Sequence, residues 1–117
     1  MKKTAPLTYE VGPAEGLFLT ITCQGTAFLA FGSVNSNALN FVSGNALRIT
    51  PNMLSSSDKI DRVHLHLVYQ PTAAPQAGYD VEVLDDNQQS IDTVSSTIDP
   101  KIKLPYRDDI DLVVMVK

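Results

Sequence analysis

The stretch Leu17–Gln24, LFLTITCQ, decides the class of the fold. Leu17, Leu19, Ile21 and Cys23 fall on one side of a period-two repeat and Phe18, Thr20, Thr22 and Gln24 on the other, the pattern of a half-buried β-strand. The same reading extends outward along the chain. Ala27–Phe31, Leu39–Val42, Leu47–Thr50, Arg62–Gln70, Tyr79–Leu84, Ile91–Ser95 and Ile110–Val116 are short runs rich in β-branched and aromatic residues, each closed by Gly, Asn, Asp or Pro. No amphipathic helical pattern separates them. The sequence therefore predicts an all-β chain, folded as a single antiparallel β-sandwich of about seven or eight strands.

At 117 residues the chain has the length of one domain and needs no covalent staple. Pro6, Gly12, Pro13 and Gly16 set residues 1–16 apart as an extended arm or edge strand, with Leu7–Val11 the pairing segment, ahead of a sandwich over 17–117. Ala27–Phe31 is apolar on both faces, as a central strand would be, and most of the aromatic residues are expected in the core. Asn52–Lys59 is the one place for a turn of helix, with Ser55, Ser56 or Ser57 as its cap. PTAAPQAG, residues 71–78, reads as a loop. YDVEVL, DDNQQS and IDTVSS read as strand, turn and strand of a hairpin. Thr97–Asp109, holding Pro100 and Pro105, is expected to be irregular before a buried last strand. The segment Tyr79–Lys117 resembles immunoglobulin-like and jelly-roll modules loosely and without a specific motif, so no residue role is carried over from them.

Composition excludes several classes of function. Nine basic residues against thirteen acidic ones give a net charge of −4, and the basic residues are scattered, which argues against a nucleic-acid surface. No apolar run approaches the ~18 residues of a spanning helix. MKKT at the start is followed by Pro6, Tyr9, Glu10 and Pro13 where the apolar core of a signal peptide would lie. Cys23 is the single cysteine, so no internal disulfide forms, and it is expected as a small buried hydrophobe. A cytoplasmic location follows as the expectation, although export without a cleaved leader leaves no mark on composition.

Three groups of residues carry chemistry. In VHLHLVY, His64 and His66 alternate with apolar residues and so share one face of a strand at a spacing of ~7 Å, from which two imidazoles can converge on Zn²⁺ or Cu²⁺. A third ligand would have to be a carboxylate from a neighbouring strand or loop. The pair is also the group whose charge changes near pH 6.5. Carboxylate-rich segments, Asp85-Asp86-Asn87 and Asp108-Asp109 with Asp111, suit a hard cation such as Ca²⁺, although tight turns select the same residues for backbone reasons. The strip Phe18, Thr20, Thr22, Gln24, together with Tyr106, is a candidate surface for a protein or carbohydrate partner. Nucleophile elbows, phosphate-cradling loops and tryptophan are absent from the sequence. The chain is thus expected to be a non-catalytic binding module without a required cofactor. The alternatives are a metal- or pH-responsive protein and a structural protein that self-associates through a strand edge.

Overall fold

The computed structural model describes residues 1–24, 26–39, 41–43, 46–55, 59–71, 77–98 and 106–117, with side chains described for 1–22, 30–39, 46–55, 59–68, 79–95 and 107–117. Its strands are β1 (Lys2–Ala5), β2 (Thr8–Val11), β3 (Leu17–Gln24), β4 (Thr26–Val34), β5 (Asn37–Leu39), β6 (Phe41–Ser43), β7 (Ala46–Ile49), β8 (Ile60–Pro71), β9 (Ala77–Asp85), β10 (Ser90–Ile98) and β11 (Tyr106–Val116). They form two sheets, in the orders β1-β2-β11-β8-β4-β5 and β10-β9-β3-β7-β6, which pack face to face as a β-sandwich. Both sheets bury alternate residues. Leu17, Leu19, Ile21, Leu47, Ile49, Val81 and Val83 of the five-stranded sheet meet Val63, Leu65, Leu67, Leu112 and Val114 of the other, all with 0% exposure. Each such side chain contributes about 1.5–3 kcal/mol by leaving water, so the period-two pattern is what holds the layers together.

The all-antiparallel expectation is corrected in one place: β2 runs parallel to β11, with Thr8 opposite Val113 and Val11 opposite Val116, so the six-stranded sheet is mixed. β1 pairs with β2, and β2 in turn lies along the side of β11 that β8 leaves open. Residues 1–16 thus supply two strands, with β1 at the sheet edge and β2 inside it. Leu7, between them, holds φ 57°, and its carbonyl accepts from the Val113 N–H at 2.8 Å. Tyr9 and Val11 of β2 are buried.

The strand count also exceeds seven or eight. Leu39–Val42, expected as one strand, divides: β5 belongs to the mixed sheet and β6 to the five-stranded one. The turn into β5 uses Asn35 and Ser36 at φ 48° and 71°, the pair of left-handed conformations of a type I′ hairpin, for which Asn is suited. The helical turn expected within Asn52–Lys59 with a serine cap lies earlier: a short 3₁₀ segment, Pro51–Met53, follows Thr50 without a side-chain cap and ends before Ser55, and residues 56–58 lie outside the described residues. Pro71 ends β8 and Ala77-Gly78 begin β9, shortening the expected 71–78 loop; residues 72–76 lie outside the described residues. The hairpin of β9 and β10 pairs Val81 with Val94.

Thr97–Asp109 is not irregular at its ends. Thr97 and Ile98 close β10, and Tyr106–Asp109 open β11, with Asp109 opposite His66. The charges do not break the strand because Arg107 and Asp109 point outward, while inward-pointing Asp108 accepts the hydroxyl hydrogen bond of Tyr79 from the opposite sheet. Tyr9 in the mixed sheet makes the converse tie, donating to Asp92 of β10 at 2.7 Å. Gly32, on the inner side of β4, leaves space for Leu47 of the facing sheet: a Cβ there would lie 2.9 Å from Leu47 Cδ1.

Candidate functional site

The outer face of the mixed sheet brings together two of the groups that the sequence kept apart. On β8, His64 and His66 alternate with the buried Val63, Leu65 and Leu67 and therefore face outward. On β11, Asp109 and Asp111 alternate with the buried Ile110 and Leu112 and face the same way. The antiparallel register sets Asp111 opposite His64 and Asp109 opposite His66, and on the other flank β4 sets Ser33 opposite His64 and Phe31 opposite His66. Directly opposed residues on one face have Cβ atoms about 4.5–5.5 Å apart, close enough for side chains to meet.

They do meet. Asp111 Oδ1 lies 2.7 Å from His64 Nδ1, and Asp109 Oδ1 lies 3.0 Å from His64 Nε2 and 2.6 Å from His66 Nδ1. One carboxylate oxygen of Asp109 therefore receives both imidazoles. Both nitrogens of His64 face carboxylates, and both can donate only when the ring is protonated. The hydrogen bond that His64 donates to Asp111, opposed in part by desolvation and reinforced by the charges of Asp111 and Asp109, holds His64 above the ordinary histidine range. The hydrogen bond from His66 and the charges of both imidazoles hold Asp109 below the usual carboxylate range. His64, His66 and Asp109 offer ligand atoms that all lie within 4.8 Å of one another, the one such set among the described residues.

Phe31, expected in the core, stands beside this array with 58% exposure, its ring centroid 6.4 Å from that of His66. The signal for it lay in its neighbours: Ala30 and Gly32 are the small residues that fit between the sheets, so Phe31 takes the outer side. Ile60, on the same face of β8 and opposite Met115, is 57% exposed.

The remaining candidates lie elsewhere. Asp85 Oδ1 accepts from the backbone N–H groups of Asn87 and Gln89 at 2.9 and 3.0 Å, and Asp86 Oδ2 accepts from the Gly16 N–H at 2.9 Å. These two carboxylates therefore satisfy the β9–β10 turn and the start of β3, and Asn87 is exposed at the turn. Asp108 points inward, away from Asp109 and Asp111. Phe18, Thr20 and Thr22 lie on the outer face of the five-stranded sheet, where the Arg48 guanidinium sits 5.5 Å from the Phe18 ring centroid and covers it. The side chains of Cys23, Gln24 and Tyr106 lie outside the described residues.

Asp61 is the polar residue whose role the sequence did not reveal. It has 0% exposure, and it accepts from Asn35 Nδ2 at 2.6 Å, from Ser55 N at 2.8 Å and from Ser55 Oγ at 2.6 Å. Burial pushes its carboxyl upward, but the bonds from Ser55 and Asn35 outweigh burial and leave it below the usual range. Asn35 also accepts from the Arg62 N–H at 3.0 Å, so Asp61 fixes the start of the strand that carries the histidines.

Comparison of the chain with protein-family models, with curated proteins and with solved structures found no match.

Proposed function

We propose that the chain is a non-catalytic β-sandwich binding module, of the immunoglobulin-like or jelly-roll-like kind, whose working surface is the outer face of the mixed sheet. The observation that carries this reading is the two-row array His64–Asp111 and His66–Asp109 on that solvent-facing surface. An outer sheet face needs only polar side chains to stay in water. Here it instead presents titratable groups in mutual contact, with exposed Phe31 beside them and exposed Ile60 farther along the same face, a combination suited to holding a partner. Of protein and carbohydrate partners, a protein is favoured: Arg48 covers Phe18, the aromatic platform on the opposite sheet that a sugar would need. The non-catalytic reading rests on exposure, since catalytic electrostatics work in enclosed, water-excluded sites and these carboxylates are 53% and 63% exposed.

Backbone ¹H–¹⁵N spectra of labelled protein, followed during titration with panels of divalent cations, peptides and oligosaccharides, test the proposal. Shifts clustered at Phe31, His64, His66, Asp109 and Asp111 are the expected result; shifts confined to Phe18, Thr20 and Thr22 refute it.

Self-association is the second reading, and β10 supports it. This nine-residue strand ends the five-stranded sheet, and an edge of that length is a template for pairing with another copy. Light scattering that gives a dimer mass, returned to the monomer by proline at an outward-facing β10 amide, would favour it.

A further inference from the structure

We infer that His64 Nε2, His66 Nδ1 and one Asp109 carboxylate oxygen form a binding site for a single borderline divalent cation of the Zn²⁺ class, with Asp111 orienting His64 from behind. The inference rests on the proposed working face and names its ligand. Tetrahedral Zn²⁺ with bonds of about 2.0–2.1 Å separates its ligand atoms by roughly 3.3 Å. Two of the three pairs stand 3.0 Å and 2.6 Å apart around Asp109 Oδ1, and all the ligand atoms lie within 4.8 Å of one another, so the side chains reach that spacing by rotations that part the imidazoles from the carboxylate and turn both toward one centre. None is hindered in doing so, because all three are at least 32% exposed.

Asp111 supplies the independent observation. A metal-bound histidine characteristically donates its other ring N–H to a carboxylate, which fixes the tautomer and raises the basicity of the ligating nitrogen. Asp111 Oδ1, 2.7 Å from His64 Nδ1, stands in that relation to a metal on Nε2. The charge also balances: two neutral imidazoles with Asp109 and Asp111 carry −2, against +2 on the ion. On binding, His64 gives its Nε2 proton to solvent and stays neutral with Nδ1–H on Asp111, and His66 frees Nδ1 by carrying its remaining proton on Nε2. Two nitrogens with one carboxylate select Zn²⁺ or Cu²⁺ over Ca²⁺ and Mg²⁺, which want an all-oxygen shell. The fourth position faces outward, open to water or to a ligand from a partner.

The test is calorimetric titration of the full chain with Zn²⁺, in parallel with long-range ¹H–¹⁵N spectra of the imidazoles. One ion per chain is expected, with the large ¹⁵N shifts on Nε2 of His64 and Nδ1 of His66. H64A/H66A should abolish binding, and D109N should weaken it more than tenfold. D111N should weaken it about 10- to 100-fold at unchanged stoichiometry, the range for a carboxylate behind a ligating histidine. Circular dichroism of these surface variants checks that they remain folded. Binding that persists in H64A/H66A, or that maps to Asp85–Asn87, overturns the site. So does the absence of binding with any cation, and if peptide titration still shifts Phe31, His64 and Asp109, the metal assignment falls while the working face stands.

Discussion

Replacing Asp61 by alanine removes an acceptor on which the start of β8 depends. Three donors lose their partner, the Asn35 amide at 2.6 Å and the N–H and hydroxyl of Ser55 at 2.8 and 2.6 Å. A hydrogen bond to a charged group contributes about 1.5–3 kcal/mol net, so three such bonds set an upper bound well above the effect of an ordinary surface change. Water lowers it, since Asn35 is exposed and Ser55 half-buried, and both can rehydrate once the carboxylate is gone. The expected loss is about 2–4 kcal/mol, a large share of the ~5–15 kcal/mol typical of a domain. With a urea dependence of about 1–3 kcal/mol per molar, the unfolding midpoint should fall by roughly 1–2 M. The pH dependence has a definite sign. Because the folded carboxyl lies below its unfolded value of about 3.9, its stabilisation is complete above that pH and disappears as pH falls through the folded value. The gap between wild type and D61A should therefore be constant near neutrality and close in acid. A midpoint shift below about 0.3 M at pH 7, or a gap that widens in acid, would refute the account.

Gly32→Val places a branched side chain 2.9 Å from Leu47 Cδ1 and 3.3 Å from Leu39 Cδ1, and should cost about 1–3 kcal/mol, read as a melting temperature lower by several degrees. Tyr9→Phe removes the 2.7 Å tie to Asp92, which Lys3 also pairs at 3.2 Å; a loss of about 1–2 kcal/mol is expected, and a double-mutant cycle with Asp92→Asn that shows no coupling counts against the tie. Burial, with the hydrogen bond and charge of Asp92, holds the Tyr9 phenol far above its ordinary value. Its contribution is thus complete below pH ~10 and lost as pH rises further, and ring-carbon NMR should find Tyr9 ionising only with unfolding. In metal-free protein His64 should titrate above ordinary histidine and fall back in D111N; its stabilisation is complete below ~6.5 and fades as pH rises through the folded value, which ¹H–¹⁵N titration of the ring checks.

The alternation in LFLTITCQ and VHLHLVY was enough to give the fold class and the inner faces, because period two is a local property of the backbone. It was also enough to place His64 and His66 side by side. What neighbours them was not legible, since register between β8 and β11 joins residues more than 40 positions apart and is set by the whole core. Tyr106–Asp109 illustrates the same limit: Asp108-Asp109, three residues after Pro105, resembles turn chemistry until Tyr79, from another sheet, is there to satisfy Asp108. The parallel pairing of β2 with β11 depends likewise on the order in which strands stack, which no residue of β2 encodes on its own.

The position of the array follows from that topology. β8 and β11 lie within the mixed sheet, with β4 and β2 on their outer flanks, so each is fixed on both sides by backbone hydrogen bonds. Their inner residues Val63, Leu65, Leu67, Ile110 and Leu112 are buried in the layer interface, and a register slip of one residue would turn this whole set toward water. The core therefore fixes which carboxylate faces which imidazole, although none of the four groups contributes to the core. A site on paired central strands is held more rigidly than one on a loop. Substitutions at His64, His66, Asp109 or Asp111 should accordingly alter what the face binds and leave the fold nearly untouched, whereas shortening Val63 or Leu112 should destabilise the fold and disorder the array together.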